Sequence, residues 1–234
     1  MHLFYDPTLI KGTTTHTLNE EESKHACKVM RLKEDDSLII LNGKGQEFNA
    51  IIVDAHNKHC KIKIIEEREE IKPKEEIHIA LAPTKMMDRL EWFLEKATEI
   101  GITEISLILC DNSERKVIKI ERLEKILISA MKQSKRLFLP KLNNLIPFKE
   151  FISNNKNGLI AHCYDKEKST IKDEFRLNNC PIIIGPEGDF SLDEVKTAIH
   201  NGYKTISLGD NRLRTETAAL YCVMQSKLIL EAHK

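Results

Sequence analysis

Two short stretches of this chain hold residues that could do chemistry together. The first, Gly185-Pro186-Glu187-Gly188-Asp189, follows three consecutive isoleucines, Ile182 to Ile184. The second runs from Gly209 through Asp210, Asn211, Arg212, Leu213 and Arg214 to Thr215, and follows the apolar-polar stretch Thr205 to Leu208. Glycines at the end of a strand let the backbone approach a ligand closely, and in parallel α/β sheets ligands bind at the carboxyl ends of strands. Glu187 supplies a carboxylate that can accept from a ligand hydroxyl or bond backbone amides in the turn. Arg214 supplies a cation for charge developing on a substrate, or an ion-pair partner for Glu216 or Glu187. A phosphate cradle fits poorly. No GxxxxGK[ST] follows any strand, and Glu187 stands where a phosphate would be repelled.

The elements around these loops must hold them in place. Ser191 with Glu194 forms a capping box, so a helix runs from Leu192 to Asn201 and stops at Gly202. Thr215 can cap a second helix over Glu216 to Glu231, whose apolar face includes Ala218, Ala219, Tyr221, Cys222 and Leu228. From Ile77 the chain alternates strand and helix. Strands are predicted at Ile77–Ala82, Glu104–Cys110, Gly158–His162, Pro181–Ile184 and Thr205–Leu208, with further helices at Met86–Ile100 and Ile118–Lys135. Met87, Leu90, Phe93, Leu94, Ala97 and Ile100 share one face of the first of these, which Gly101 terminates. The pattern is that of an α/β domain with a parallel sheet.

Residues 1 to about 66 read differently. His2–Tyr5, a helix from the cap Asn19 with Glu22 through Met30, and strands Ser37–Leu41, Glu47–Asp54 and Cys60–Glu66 suggest a small barrel. Asn42-Gly43-Lys44-Gly45 is a hairpin signal, and the charged run Glu66–Glu76 with Pro73 marks a linker.

Composition narrows the class. Lysine plus arginine balance aspartate plus glutamate at 36 each, so a nucleic-acid partner must meet a local patch. Asp111 to Glu150 offers one, with ten cations against five acids, although a solvated helix face explains its first half equally well. The six cysteines stand singly with no C-x-x-C pair, which argues against a disulfide framework and a zinc site; no metal is expected. The sequence shows no signal peptide and no apolar run of membrane-spanning length, so a cytoplasmic protein without a membrane partner is expected.

The order IGPEG, LG, LRTETA resembles the SPOUT class of RNA methyltransferases, and the chain is similar to the ribosomal RNA small-subunit methyltransferase E family within it. SKHACKVMRL (Ser23–Leu32), TKMMDRLEWFLEKATEIGI (Thr84–Ile102) and AMKQSKRLFLPKL (Ala130–Leu142) match further family blocks, so nearly the whole chain is covered. Asp189 stands where the family usually has a second glycine, and Asp210-Asn211-Arg212 replaces Pro-Arg-Ile. The resemblance implies methylation of N3 of a uridine in 16S ribosomal RNA, with S-adenosylmethionine as cofactor. It implies a PUA-like RNA-binding barrel over residues 1–70 and an α/β domain with a C-terminal trefoil knot over 71–234.

On that reading Arg214 and Glu187 are the catalytic candidates. Backbone groups of Ile184, Gly185, Gly188, Leu208, Gly209 and Leu213 hold the adenine and ribose. Pro186, Glu187, Thr215, Thr217 and Ala218 complete the cofactor set, with His162 and Cys163 as a third wall; Cys163 could equally be core, and Thr215 only a cap. His25, Arg31, Lys85, Arg89, Arg115 and Arg136 are the RNA candidates by matching position, a histidine such as His25 being more often a surface or packed residue than a catalyst. Trp92 reads as core or interface. A homodimer is implied, and Leu220, Val223, Met224, Leu228 and Leu230 give the last helix more apolar surface than one sheet face needs, unless that helix is wholly internal.

Overall fold

A computed structural model describes residues 2–164, 168–175 and 180–232. The chain separates into two units, Met1–Lys72 with Ile128–Leu139, and Pro73–Leu127 with Pro140–Lys234.

The first unit is built on β1 (Leu3–Tyr5), β2 (Thr15–Thr17), α1 (Glu20–Lys24), β3 (Ser37–Leu41), β4 (Gln46–Asp54) and β5 (Lys61–Glu69). Its sheet runs β1-β3-β4-β5-β2, with β1 parallel to β3 and the other pairs antiparallel. Phe4, Leu38, Ile40, Phe48, Ile52 and Ile62 form a core with Ala26. Asn19 caps α1 through the Glu22 amide at 2.8 Å. The helix then widens into a π-turn over His25–Val29, where the Met30 amide donates to the His25 carbonyl, and Arg31 follows in the left-handed region at φ 58°. In the β3–β4 hairpin the Asn42 side chain accepts from the amides of Lys44 and Gln46. Gly45, at φ 101°, leaves room for the Phe138 ring, which a Cβ there would strike. The charged run expected as a linker begins instead as strand. β5 extends to Glu69 because its exposed glutamates lie on an outward face that needs no apolar residues, while the backbone still pairs with β4 up to Gln46.

The second unit contains β6 (His78–Leu81), α2 (Met87–Ile100), β7 (Glu104–Leu109), the first part of α3 (Ile120–Gln133), β8 (Lys141–Pro147), α4 (Phe148–Asn154), β9 (Leu159–Ala161), β10 (Ser169–Thr170), α5 (Ile171–Glu174), β11 (Ile182–Ile184), α6 (Leu192–His200), β12 (Lys204–Ser207) and α7 (Thr215–Ala232). The sheet is parallel throughout, in the order β10-β12-β9-β11-β6-β7-β8. Ala80, Ile108, Phe148, Phe151, Ile160, Ile183, Phe190 and Val195 pack as its core on one side. The capping box at Ser191 and Glu194 forms in full, and Gly202 follows α6 at φ 87°.

On α2, Leu90, Phe93, Leu94 and Ala97 are buried as their spacing requires, while Trp92 is 43% exposed and so is not core. Of the apolar residues picked out on α7, Val223 and Leu230 are buried within the chain; the exposed stripe is Tyr221, Met224 and Leu228. Among the described residues no helix is long and apolar enough to cross a membrane, and no cluster of three or more His, Cys, Asp or Glu could hold a metal.

Candidate active site

Strand register places the two glycine loops side by side. Ala161 pairs with Ile184 on one side and with Ile206 on the other, so β9, β11 and β12 end level, and the chain leaving each faces the same edge of the sheet. There a cavity of about 590 Å³ opens, within the size range of small-molecule sites. Ile184, Leu208, Leu213 and Ala218 supply apolar walls; Lys168, Glu187, Asp189, Arg212 and Arg214 supply charge.

The loop after β11 is tied down on every side. The Thr215 hydroxyl donates to the Gly185 carbonyl at 3.1 Å, and Asn112 Nδ2 donates to the carbonyls of Gly188 and Asp189 at 3.2 and 3.0 Å. Asp189 sits at φ 62°, a conformation natural to glycine that aspartate tolerates better than most residues. Its carboxylate accepts from the Cys163 amide and from its own neighbour Phe190, each at 2.8 Å. A side chain in place of a glycine thus fastens the β11 loop to the β9 loop. The Lys85 amide donates to Glu187 Oε1 at 3.0 Å. Nearby, Glu194 accepts from the Asp111 amide at 3.0 Å; burial raises its pKa against that bond and the one from Ser191.

The loop after β12 is much freer. Arg212 reaches the Glu187 carbonyl at 3.4 Å, and the Arg214 carbonyl accepts from Ala218 at 2.8 Å. The exposed Arg214 side chain makes no hydrogen bond or ion pair among the described residues. The Glu216 carboxylate that could have paired with it is buried and faces Arg89 at 3.7 Å.

Of the cofactor residues expected from sequence, His162, Cys163, Ile184, Gly185, Pro186, Glu187, Leu208, Gly209, Leu213, Thr215 and Ala218 line the cavity. Gly188 and Thr217 do not. A Cβ on Gly188 would lie 3.1 Å from Asn112 Cβ, so that glycine serves the close approach of two chain segments rather than a ligand. At Gly185 the constraint is the Phe190 ring, also 3.1 Å away. Of these three glycines, Gly209, at φ 109°, is the one whose Cβ would meet nothing within 4 Å. Thr217 is exposed off the cavity, one helical residue too far round. Thr215 is not the cap: it is the first helical residue, and its hydroxyl serves Gly185 instead of a helix amide. Cys163 is exposed at the rim, and its thiol pKa is raised by partial burial and then by the charge of Asp189. Lys168, Asp189 and Arg212 were not foreseen; a positive charge or a departure from the family pattern beside the loop was the available signal.

The RNA candidates divide. In the second unit Arg115 turns inward, Nε donating to the Thr84 carbonyl at 3.1 Å and Nη2 to that of Lys85. Lys85 pairs with Glu114 at 2.8 Å, which raises its pKa, and Arg89 faces Glu216. In the first unit Arg31 is exposed, His25 lies 3.5 Å from Glu22 and 5.4 Å from the Phe4 ring, and Arg136 is half-buried, with its pKa lowered by desolvation.

The chain has close counterparts among known proteins. Residues 70–226 match the model of an RNA methyltransferase domain, and residues 18–65 that of an RNA methyltransferase PUA domain. Ribosomal RNA small subunit methyltransferase E of Rickettsia conorii is 30% identical over 232 residues, covering 97% of this chain and 95% of its own. The crystal structure of a probable rRNA-methyltransferase from Porphyromonas gingivalis aligns with a TM-score of 0.87 at 36% identity over 100% of both chains. A methyltransferase structure from Legionella pneumophila in complex with the bound cofactor SAM aligns at 0.84, with 26% identity over 97% of this chain and 96% of that one.

Proposed function

This chain belongs to the ribosomal RNA small-subunit methyltransferase E family, and on that premise we propose that it methylates N3 of a uridine in 16S ribosomal RNA, using S-adenosylmethionine. The observation that carries the reading is the cavity at the level ends of β9, β11 and β12, with Arg214 at its edge uncommitted to any described partner. The residues suit the cofactor. Backbone of the 185–187 and 208–213 segments and the side chains of Ile184, Leu208, Leu213 and Ala218 can enclose adenine and ribose, and Gly209 leaves the space open. When bound, the cofactor supplies a methyl group on a positively charged sulfur.

The chain must then make uridine N3 a nucleophile. The imide is protonated at neutral pH; its proton is given up to solvent, and the ring anion so formed takes the methyl group as the carbon–sulfur bond breaks with its electron pair left on sulfur. Arg214 stabilises the negative charge that loss of the proton places on the uracil oxygens, a charge still partly present in the transition state and absent from the bound neutral substrate. Glu187 gives one oxygen to the Lys85 amide, which supports the structural alternative for that residue, and keeps the other for a ribose hydroxyl.

Several finer assignments are part of the same proposal. Residues 1–70 form the RNA-binding PUA-like domain, supported by the matched PUA model, and 71–234 the catalytic domain, its last strands and loops forming a trefoil knot. Two copies pair through α7, whose Tyr221, Met224 and Leu228 lie at helical spacing, 38%, 48% and 57% exposed. The place of work is the cytoplasm, where ribosomal RNA is made and modified.

Methyl transfer from labelled cofactor to small-subunit particles and to naked 16S RNA, followed by mapping of the product, tests the reading. A methyl group on N3 of one uridine is the expected result. RNA binding without transfer would make the chain a binding module instead.

A further inference from the structure

A second cavity in the catalytic unit, of about 340 Å³, is lined by Lys85, Glu114, Arg115, Lys116 and Val117. Three of its five residues are cationic and one is acidic, in a chain whose total charge is zero. Arg115 is fixed there by the carbonyls of Thr84 and Lys85, neutral partners that leave its charge uncancelled. Lys116 and Val117 are exposed, and Lys116 carries no ion pair among the described residues. The two cavities share a wall: Glu187 lines the first, and its Oε1 accepts from the amide of Lys85, which lines the second. Asn112, three residues before Arg115, holds the Gly188 and Asp189 carbonyls of the same loop.

We propose that this second cavity seats a backbone phosphate of the RNA beside the methylated base, and that Glu187 is the positioning residue that couples the occupied seat to the cofactor loop. The inference rests on the methyltransferase reading above. A phosphodiester is the fitting occupant because the site offers localised positive charge with one apolar neighbour and no aromatic face on which a base could stack. Arg115 and Lys85, partly committed to the loop, set its shape; Lys116 supplies the charge that remains mobile.

The experiment compares wild type, Lys116→Glu, Glu187→Gln and Glu187→Ala. Affinity for a 16S fragment is measured over a salt series, with cofactor affinity by calorimetry and kcat and KM for methyl transfer. Lys116→Glu is expected to weaken RNA binding about tenfold and to lower the slope of log Kd against log salt by about one, with cofactor affinity unchanged. Glu187→Gln keeps an oxygen for the Lys85 amide, so at saturating cofactor its KM for RNA rises less than that of Glu187→Ala, whatever either substitution does to kcat or to cofactor affinity. An unchanged salt slope for Lys116→Glu, or the same KM for Gln and Ala at position 187, overturns the proposal while wild type still transfers methyl groups. If wild type transfers none, it is the methyltransferase reading that fails.

Discussion

The two loops of the active site begin alike, each a strand giving way to glycine, yet the structure treats them in opposite ways. The loop after β11 is held by Thr215, Asn112, Lys85 and both oxygens of Asp189. Among the described residues the loop after β12 has a local bond from the Gly209 amide to Ser207 and one long contact from Arg212 to the other loop, and leaves Arg214 uncommitted. The first is a fixed wall against which a cofactor can be placed accurately. On the proposed reading, the second carries the cations that respond to the RNA substrate. Preorganisation and availability are needed together, and the chain assigns them to different loops.

The largest test of that division is Arg214→Ala. A cation acting only on developing charge contributes to the transition state, so kcat should fall by about a hundredfold or more while calorimetry finds cofactor affinity nearly unchanged. Equal losses in both would make the free loop as structural as the fixed one. Next is Asp189→Gly. The left-handed backbone is kept, two amide bonds of about 0.5–1.5 kcal/mol each are lost, and cofactor binding should weaken about tenfold. Unchanged affinity would show that the wall holds without its fastening.

The glycines sharpen the comparison further. Gly188→Ala sets a methyl 3.1 Å from Asn112, so thermal unfolding should show a loss of about 1–3 kcal/mol with cofactor affinity kept in the folded protein. Gly209→Ala meets no neighbouring atom but strains the backbone at φ 109°, and on a residue that lines the cavity it should weaken the cofactor. The reverse pattern would exchange the roles of the two loops.

The smallest effect is on Cys163. Burial raises its thiol pKa, and Asp189 raises it further, so the proton is retained as pH rises through the usual thiol range. Removing Asp189 lowers that pKa. Alkylation at pH 8 should then be severalfold faster in Asp189→Gly than in wild type, read by mass spectrometry at this exposed cysteine. No change in rate would place Asp189 away from the thiol in solution.

Much of this architecture can be read from residue types alone, because strand, breaker and cap follow each other at fixed offsets. Ile182–Ile184, Gly185 and the Ser191–Glu194 box locate one wall, and Gly101 and Gly202 end their helices as their backbone angles require. What escaped was of three kinds. β8 sets two adjacent asparagines between Leu142 and Leu145-Ile146 and lies at the sheet edge, and α4 is only seven residues long behind Pro147, so neither carries a period strong enough to read. The direction in which a glycine's missing side chain points is invisible in sequence, which is why Gly188 and Gly209 look interchangeable. And sequence does not show what fixes a cation in place, as with Arg115, which two carbonyls of its own chain hold at the edge of the second cavity.

The strand order has a consequence for how the enzyme comes into being. β9, which supplies the middle wall, is made well before its two sheet neighbours β11 and β12, and the wall bearing Arg214 comes after both. Synthesised from its N-terminus, the chain can complete the sheet of the first unit while the methyl-donor site has yet to exist. The start of its last helix brings Thr215 to the Gly185 carbonyl, so the pocket is complete only after β12 has been made. A ribosome making this protein would therefore expose the sheet of the first unit before the chain that completes the pocket has emerged.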